Sequence, residues 1–277
     1  EKMFHDNYAF FSSTSSYMIK HFDTFANSVI ALQGLNDKSF VLEIGSNDGI
    51  MLQSFLTNKI PCLGVEPSQN VANVSIEKGI EVISKFFDEP LAVNISKSHS
   101  KADAILSANV MCHIPYIHSI YNGVKALLKE DGVFIFEDPY LGEIIEKTSF
   151  DQIYDEHVFL FSALSVSYLA NMHDLELVNV EPQITHGGSM RYTIAHKGEK
   201  IVSQNVDTLI QQEKKIGLDI KNAYMNFTNS VDKIKDNLID LLTKLKRDGK
   251  KVVAYGATSK STTVTNYFGI TPDLVEC

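Results

Sequence analysis

A chain of 277 residues, 44% hydrophobic and 21% charged, has the balance of a globular protein with room for one large domain and an appendage. Its 34 acidic residues against 25 basic ones, a net charge of −9, argue against a nucleic-acid partner but leave room for a small anion held by a local Lys or Arg. No apolar run approaches the roughly 20 residues of a membrane span, EKMFHDNYAFF lacks the order of a signal peptide, and Cys62, Cys112 and Cys277 form no CxxC. A disulfide framework or an internal zinc site is therefore not expected, and a reducing cytoplasm fits.

The stretch NYAFFSSTSSYMIKHF is polar and aromatic and runs into a helical pattern through Phe25, Val29 and Leu32. Then the period changes. FVLEIG reads as a buried parallel strand, with Ser46–Gly49 as its turn and Ile50–Leu56 opening a helix. CLGVEP is a second strand, followed by a Ser68–Lys78 helix; GIEVIS is a third strand and ADAILSAN a fourth. VKALLKEDG reads as a helix closed by Gly132, and GVFIFEDP as the fifth strand. LELVNVEPQ and SMRYTIAHK form a closing antiparallel pair. The alternation predicts a Rossmann-like, doubly wound α/β sheet over 40–197, preceded by a leading segment and helix over 1–39.

From about 200 to 248 one long helical segment is expected, with Phe227, Val231, Ile234, Leu238, Leu241 and Leu245 at spacings of three and four. That face either packs on its own protein or forms a dimer coil, so a monomer or weak dimer is expected. Gly249 caps the segment. KVVAYGATSKSTTVTNYFGI then reads as strand, glycine turn and helix, and the chain stops at LVEC, so 198–277 is a helical linker plus part of a second α/β unit.

The first chemical signal is the turn after the first strand. Gly45 and Gly49 let the backbone turn and leave room for a ligand, while Ser46, Asn47 and Asp48 add polar groups at the carboxyl end of a parallel strand. A glycine-rich turn is shared with dinucleotide enzymes, but two details shift the balance toward S-adenosyl-L-methionine. The form is E-x-G-x-x-x-G rather than GxGxxG, and Glu66 ends the second strand where a carboxylate can accept both ribose hydroxyls. The alternative for Glu66 is a charge at a helix N-terminus. Asn109, after the fourth strand, is placed to hold the cofactor's amino-acid portion, and His113 either enters the same crevice or is structural. Phe86 and Phe87 either flank adenine or pack in the core.

The densest polar stretch is FDQIYDEHVFLFS, 150–162. Tyr154 and His157 share a face if the segment is helical. His157 is the natural general base, with an unperturbed pKa of roughly 6.5, and Glu156 or Tyr154 could orient it or bind substrate hydroxyls. A surface helix with a chance polar trio is the alternative. None of the nine histidines shows HxH or HExxH spacing, so no metal is expected. HGGSMR offers backbone freedom at Gly187–Gly188 and a charged fork at Arg191. YGATSK places Gly256 and Lys260 around a helix start, a usable phosphate site without the GK[ST] ending of a Walker A loop. A bare βα turn is its alternative.

In order along nearly the whole chain, NYAFFSSTSS, LEIGSNDG, VEPSQNVA, NVMCHIP, QIYDEH, HGGSMRY and YGATSK resemble the sugar C-methyltransferases that act on C3 of nucleotide-linked 4-keto-6-deoxy sugars. These enzymes serve bacterial antibiotic and surface-polysaccharide pathways. The resemblance implies that His157 removes the C3 proton and that Tyr154, Glu156, His113 and Tyr8 surround the sugar. It puts S-adenosyl-L-methionine, leaving as S-adenosyl-L-homocysteine, on Gly45–Gly49, Glu66, Pro67, Ser68, Phe86, Phe87 and Asn109. It puts a TDP- or GDP-linked substrate on Ser13, Gly188, Ser189, Arg191, Tyr255, Gly256, Lys260 and Asn266, with Lys260 and the 255–266 turn at the diphosphate. A C4 ketone acidifies the C3 hydrogen, so neither a protein nucleophile nor a metal is required. Family members also carry an N-terminal four-cysteine zinc module and continue further at the C-terminus. Neither occurs in this sequence, which starts without Met, so a trimmed start and an incomplete nucleotide site are expected, with zinc only in the missing module. YGATSK also stands where a proline-bearing turn is usual.

Three rivals make different demands. An O- or N-methyltransferase has no need of QIYDEH beside a phosphate turn. A nucleotide-sugar dehydrogenase or epimerase would use YGATSK for NAD and leave Glu66 idle. A non-catalytic sugar-nucleotide binder would not need to retain Tyr154, Glu156 and His157.

Overall fold

The computed structural model describes residues 4–256 and 258–276; Ala257 of the YGATSK turn and Cys277 lie outside them. Ser15 accepts from the Met18 amide and starts α1 (Ser16–Gln33), which Gly34 ends in the left-handed conformation, φ 62°. Phe22, Phe25, Ala26 and Val29 form its buried stripe. Leu32 rotates off that stripe and is 70% exposed, against the sequence pattern.

The alternating units follow as β1 (Val41–Ile44), α2 (Leu52–Thr57), β2 (Cys62–Val65), α3 (Gln69–Glu77), β3 (Glu81–Ile83), α4 (Glu89–Ser98), β4 (Ala102–Ala108), α5 (Ile117–Leu127) and β5 (Leu128–Pro139). After α6 (Leu141–Lys147) and α7 (Ala163–Met172), β6 (Leu175–Gln183) and β7 (Ser189–His196) close the sheet. The seven strands lie in the order β3-β2-β1-β4-β5-β7-β6. The pairs among β1 to β5 are parallel, and β7 runs antiparallel to both β5 and β6. The doubly wound sheet and its antiparallel end therefore match the reading of the sequence.

Side-chain alternation divides the core. Leu42, Ile105, Phe134 and Phe136 face one layer with Tyr121, Val124 and Val166. Val41, Leu106, Val133 and Ile135 face Phe25, Val29 and Phe55 on the other side. Glu43, the acidic residue of the glycine motif, is buried on this second face, and burial holds its carboxyl well above the usual range.

Two helix boundaries differ from the sequence pattern. The helix before the fifth strand ends at Leu127, and Gly132 is a strand residue: a Cβ there would stand 2.8 Å from the Ala102 carbonyl. The next strand presses on it, so glycine is needed for close approach and not for capping. The expected single helix over 200–248 is two, α8 (Gln204–Ile216) and α9 (Lys221–Arg247), because Gly217 adopts φ 80° and ends the first. On α9, Val231 and Leu242 are buried while Leu241 is exposed. Gly249, φ 68°, follows its last turn as expected. The expected strand after it is a single bridge, Val253 to Glu276, before α10 (Ser259–Phe268).

One ion pair ties the N-terminal helix to the sheet. Glu137, fully buried on β5, accepts from Arg191 Nη2 at 2.8 Å and Nε at 3.2 Å, from Thr185 Oγ1 at 3.0 Å, and pairs with His21 Nε2 at 2.8 Å. Burial alone would raise its pKa, but the hydrogen bond from His21 and the charge of Arg191 hold it below the usual range. The Arg191 guanidinium also lies 3.5 Å over the Phe25 ring. Arg191 is thus a buried tie and not a free fork for an anion. Arg191→Met should destabilise the fold by about 3–5 kcal/mol, because it strands a buried carboxylate. The expected readout is a lower urea midpoint with an unchanged slope; an anion-binding role would instead weaken substrate binding with stability intact.

Candidate active site

The carboxyl ends of β1, β2, β4 and β5 open into a cavity whose wall includes Gly45, Asn47, Glu66, Pro67, Phe86, Phe87 and Asn109. Glu66 is buried; its Oε2 accepts from the Asn47 amide at 2.9 Å and its Oε1 from the Ser68 amide at 2.8 Å. Burial raises its pKa against these two bonds. Each oxygen keeps a lone pair for a further donor, so the carboxylate suits a diol. Phe87 is 3% exposed and belongs to the core, whereas Phe86, at 38%, is free to flank a ring. Asn109 turns into the cavity with φ 56°.

The glycine turn acts differently from the sequence reading. Gly45 (φ 71°) and Gly49 (φ 77°) are both left-handed, but a Cβ on Gly45 would meet Val110 at 2.4 Å, and one on Gly49 would meet Ile80 and Ser75 at 2.5 Å. Their missing side chains make room for neighbouring residues, not directly for a ligand. Ser46 and Ser68 are fully buried behind the wall.

Asn47 and Asp48 grip the N-terminal segment. Asn47 accepts from the Ser12 amide at 2.9 Å and donates to the Phe10 carbonyl at 3.1 Å. Asp48 accepts from the Ser13 amide at 3.1 Å and from its hydroxyl. Asn70 on α3 accepts from the Tyr8 amide at 3.1 Å and donates to its carbonyl at 2.7 Å. This strap carries Tyr8, Phe10 and Ser12 into the cavity wall, while Ser13 itself is bound to Asp48 and Asp48 stands outside the wall.

The QIYDEH segment closes the other side. It is not an α-helix: a 3₁₀ turn over Phe150–Gln152 is followed by a tight turn in which the His157 amide donates to the Tyr154 carbonyl at 2.9 Å. That turn brings the Tyr154 and His157 rings to 4.1 Å. The segment is pinned by the Phe159 amide to the Cys112 carbonyl (3.1 Å) and by Gln152 Nε2 to the His186 carbonyl (2.7 Å). Phe150 stacks on Phe268 of α10 at 4.9 Å, which brings Lys260 to the cavity.

Main-chain carbonyls orient both histidines. His157 donates Nδ1–H to the Gln152 carbonyl at 2.8 Å, and His113 donates Nδ1–H to the Glu156 carbonyl at 2.7 Å, because a carbonyl can only accept. Neither the Glu156 carboxylate nor the Tyr154 hydroxyl orients His157, in contrast to the sequence reading. The two imidazole rings lie 5.1 Å apart. Burial drives His157 down to about 4, with His113, Lys260 and His186 adding repulsion, and burial lowers His113 as well. Burial pushes the Tyr154 phenol up to about 12. Imidazoles whose Nε2 atoms have no hydrogen-bond partner among the described residues thus stand beside a phenol that keeps its proton.

Gln152, His186 and Cys112 complete the wall. The sequence motifs contained all three without marking them. Gly188, Ser189, Tyr255, Gly256 and Asn266 do not line the cavity, and Tyr255 is fully exposed at 107%. Lys260 has no anionic partner among the described residues.

Residues 18–180 match the family of methyltransferase domains. The chain belongs to that family. Residues 184–277 match a second family, the C-methyltransferase C-terminal domain. The C-methyltransferase NovU of Streptomyces niveus is 30% identical over 265 residues, which make up 95% of this chain and 63% of that protein. Among solved structures, an S-adenosylmethionine-dependent methyltransferase from Clostridium acetobutylicum superposes with a TM-score of 0.52 at 12% identity, covering 65% of this chain and 92% of its own. Magnesium protoporphyrin IX methyltransferase from Synechocystis, solved with bound SAH, gives 0.51 at 10% identity over 65% of this chain and 83% of its own. The methyltransferase domain therefore has the class I S-adenosylmethionine-dependent methyltransferase fold. No helix among the described residues is long and apolar enough to cross a membrane.

Nitrogen-detected NMR should find His157 and His113 protonated at Nδ1 only, with His157 staying neutral until the pH approaches 4. Its folded pKa lies below the unfolded value of about 6.5, so the unfolded chain takes up the proton first. Stability should therefore fall as pH drops from about 6.5 through 4. A His157 midpoint near 6.5 would contradict the buried, carbonyl-held geometry.

Proposed function

We propose that the protein is an S-adenosylmethionine-dependent C-methyltransferase that methylates C3 of a nucleotide-linked 4-keto-6-deoxy sugar. The observation that carries this reading is the pair of neutral, carbonyl-oriented imidazoles in a cavity shared with Glu66 and Asn109. The match of residues 184–277 to the C-methyltransferase C-terminal domain, and the likeness to NovU, support the carbon acceptor. The QIYDEH and HGGSMR resemblance supports the keto-sugar.

The residues fit the cofactor: Glu66 offers a half-occupied carboxylate to a ribose diol, Phe86 a ring face to adenine, and Asn109 a polar group to an amino acid. When bound, S-adenosylmethionine supplies an electrophilic methyl group and leaves as S-adenosylhomocysteine. His157 Nε2 takes the C3 proton, and the C–H electron pair passes into the C3–C4 bond as the enolate forms. Tyr154, still protonated, donates to the enolate oxygen, and His113 Nε2 accepts from a neighbouring sugar hydroxyl. Lys260, which lines the cavity and has no anionic partner among the described residues, faces the diphosphate.

Incubation with S-adenosylmethionine and 4-keto-6-deoxy sugar nucleotides in deuterated water should give C3 methylation. Absence of both methylation and C3 exchange across TDP-, GDP- and CDP-sugars would sink the reading. His157→Asn should lower turnover by at least ~100-fold, the scale of general-base catalysis, while leaving cofactor binding intact. In the active enzyme the acid limb of the rate profile should fall near pH 4, because the base must be neutral.

A further inference from the structure

His113 and His157 share an arrangement that proton transfer does not exhaust. Each imidazole has its Nδ1–H held by a backbone carbonyl, at 2.7 Å for His113 and 2.8 Å for His157. Each Nε2 is left without a hydrogen-bond partner among the described residues, and both side chains line one cavity. Cys112, on the same 3₁₀ turn as His113, also lines the cavity, with its buried thiol beside the Asp138 carboxylate. The candidate donor atoms of these three residues all lie within 4.8 Å of one another.

Proteins orient histidine ligands in this way, by tying the second ring nitrogen to a carbonyl or carboxylate. Two imidazole nitrogens and one sulfur also make a donor set suited to zinc, with a fourth position left open. No carboxylate belongs to the group, and its softness favours Zn2+ or Co2+ over Mg2+ and Ca2+. Ligands about 2.0–2.3 Å from a tetrahedral ion stand roughly 3.3–3.8 Å apart, so donors separated by no more than 4.8 Å need to converge by at most about 1.5 Å.

We propose that the substrate-free cavity binds a thiophilic divalent cation through Cys112 Sγ and the Nε2 atoms of His113 and His157, and that the ion blocks the active site. Binding replaces the Cys112 S–H bond by a sulfur–metal bond, releases that proton to solvent, and adds two nitrogen–metal bonds without redox change. All three ligands come from this chain, so the site is separate from any cysteine module outside it. It also stands on geometry alone, whichever acceptor the enzyme methylates.

The test is titration of the metal-free protein with Co2+. One equivalent should give the visible bands of a tetrahedral ion together with thiolate-to-cobalt charge transfer in the near ultraviolet. Cys62→Ser should keep both, and Cys112→Ser should lose the charge transfer. Because Cys112 is buried, His113→Asn provides a second variant: it should weaken Co2+ uptake at least ~10-fold while thermal unfolding stays cooperative. Zn2+ should displace Co2+, and a chelator should reverse its inhibition of turnover. A wild-type protein with no tetrahedral spectrum, charge transfer that survives Cys112→Ser, or unchanged affinity in His113→Asn would each overturn the site.

Discussion

Glu137 carries its carboxylate on β5 with no exposed surface, so its compensating hydrogen bonds come from the protein around it. Its partners come from three separate stretches: His21 from α1, Thr185 from the HGG turn, and Arg191 from β7. The demand of one buried charge therefore fixes how the N-terminal helix, the parallel sheet and the antiparallel closing strands meet. The cavity is bounded by those same pieces. His186 neighbours Thr185 on the turn, and α1 continues the strap that bears Tyr8.

The histidine pair of the cavity depends more on main chain than on side chains. Gln152 and Glu156 contribute carbonyls to the two imidazoles, and both carbonyls belong to the same short segment of two successive turns. Its conformation sets both Nε2 positions at once, so a backbone distortion would displace the two imidazoles together. Phe150 opens that segment and stacks on Phe268 of α10, so the segment bearing His157 is packed against the helix that presents Lys260. Burial of the imidazoles supplies the electrostatic counterpart, lowering the pKa of both and taking His157 down to about 4.

Much of the sheet was legible because parallel strands buried on both faces leave short continuous apolar runs, as in FVLEIG and GVFIFEDP. What local patterning cannot carry is tertiary demand. Gly132 looks like a helix cap until the Ala102 carbonyl is seen pressing on it. Arg191 looks like an anion fork because Glu137, 54 residues earlier, is invisible as its partner. Asn47 and Asp48 sit where a cofactor loop should be polar, yet they hold Ser12 and Ser13 from 35 residues away. QIYDEH stands out as the densest polar stretch, but a turn and not a helix brings Tyr154 and His157 together. The HxH rule also failed to foresee that Cys112, His113 and His157 converge, since long-range folding sets that grouping.

The strap over 8–15 makes part of the cavity depend on a segment that belongs to no layer of the sheet. Its fastenings are the polar side chains of the loop and helix that border the cavity, with Asn47, Asp48 and Asn70 bonding to its backbone. Through those bonds Tyr8, Phe10 and Ser12 become part of the wall. One stretch of wall therefore rests on a few side-chain hydrogen bonds and not on strand pairing, so the shape of the cavity is as durable as those bonds.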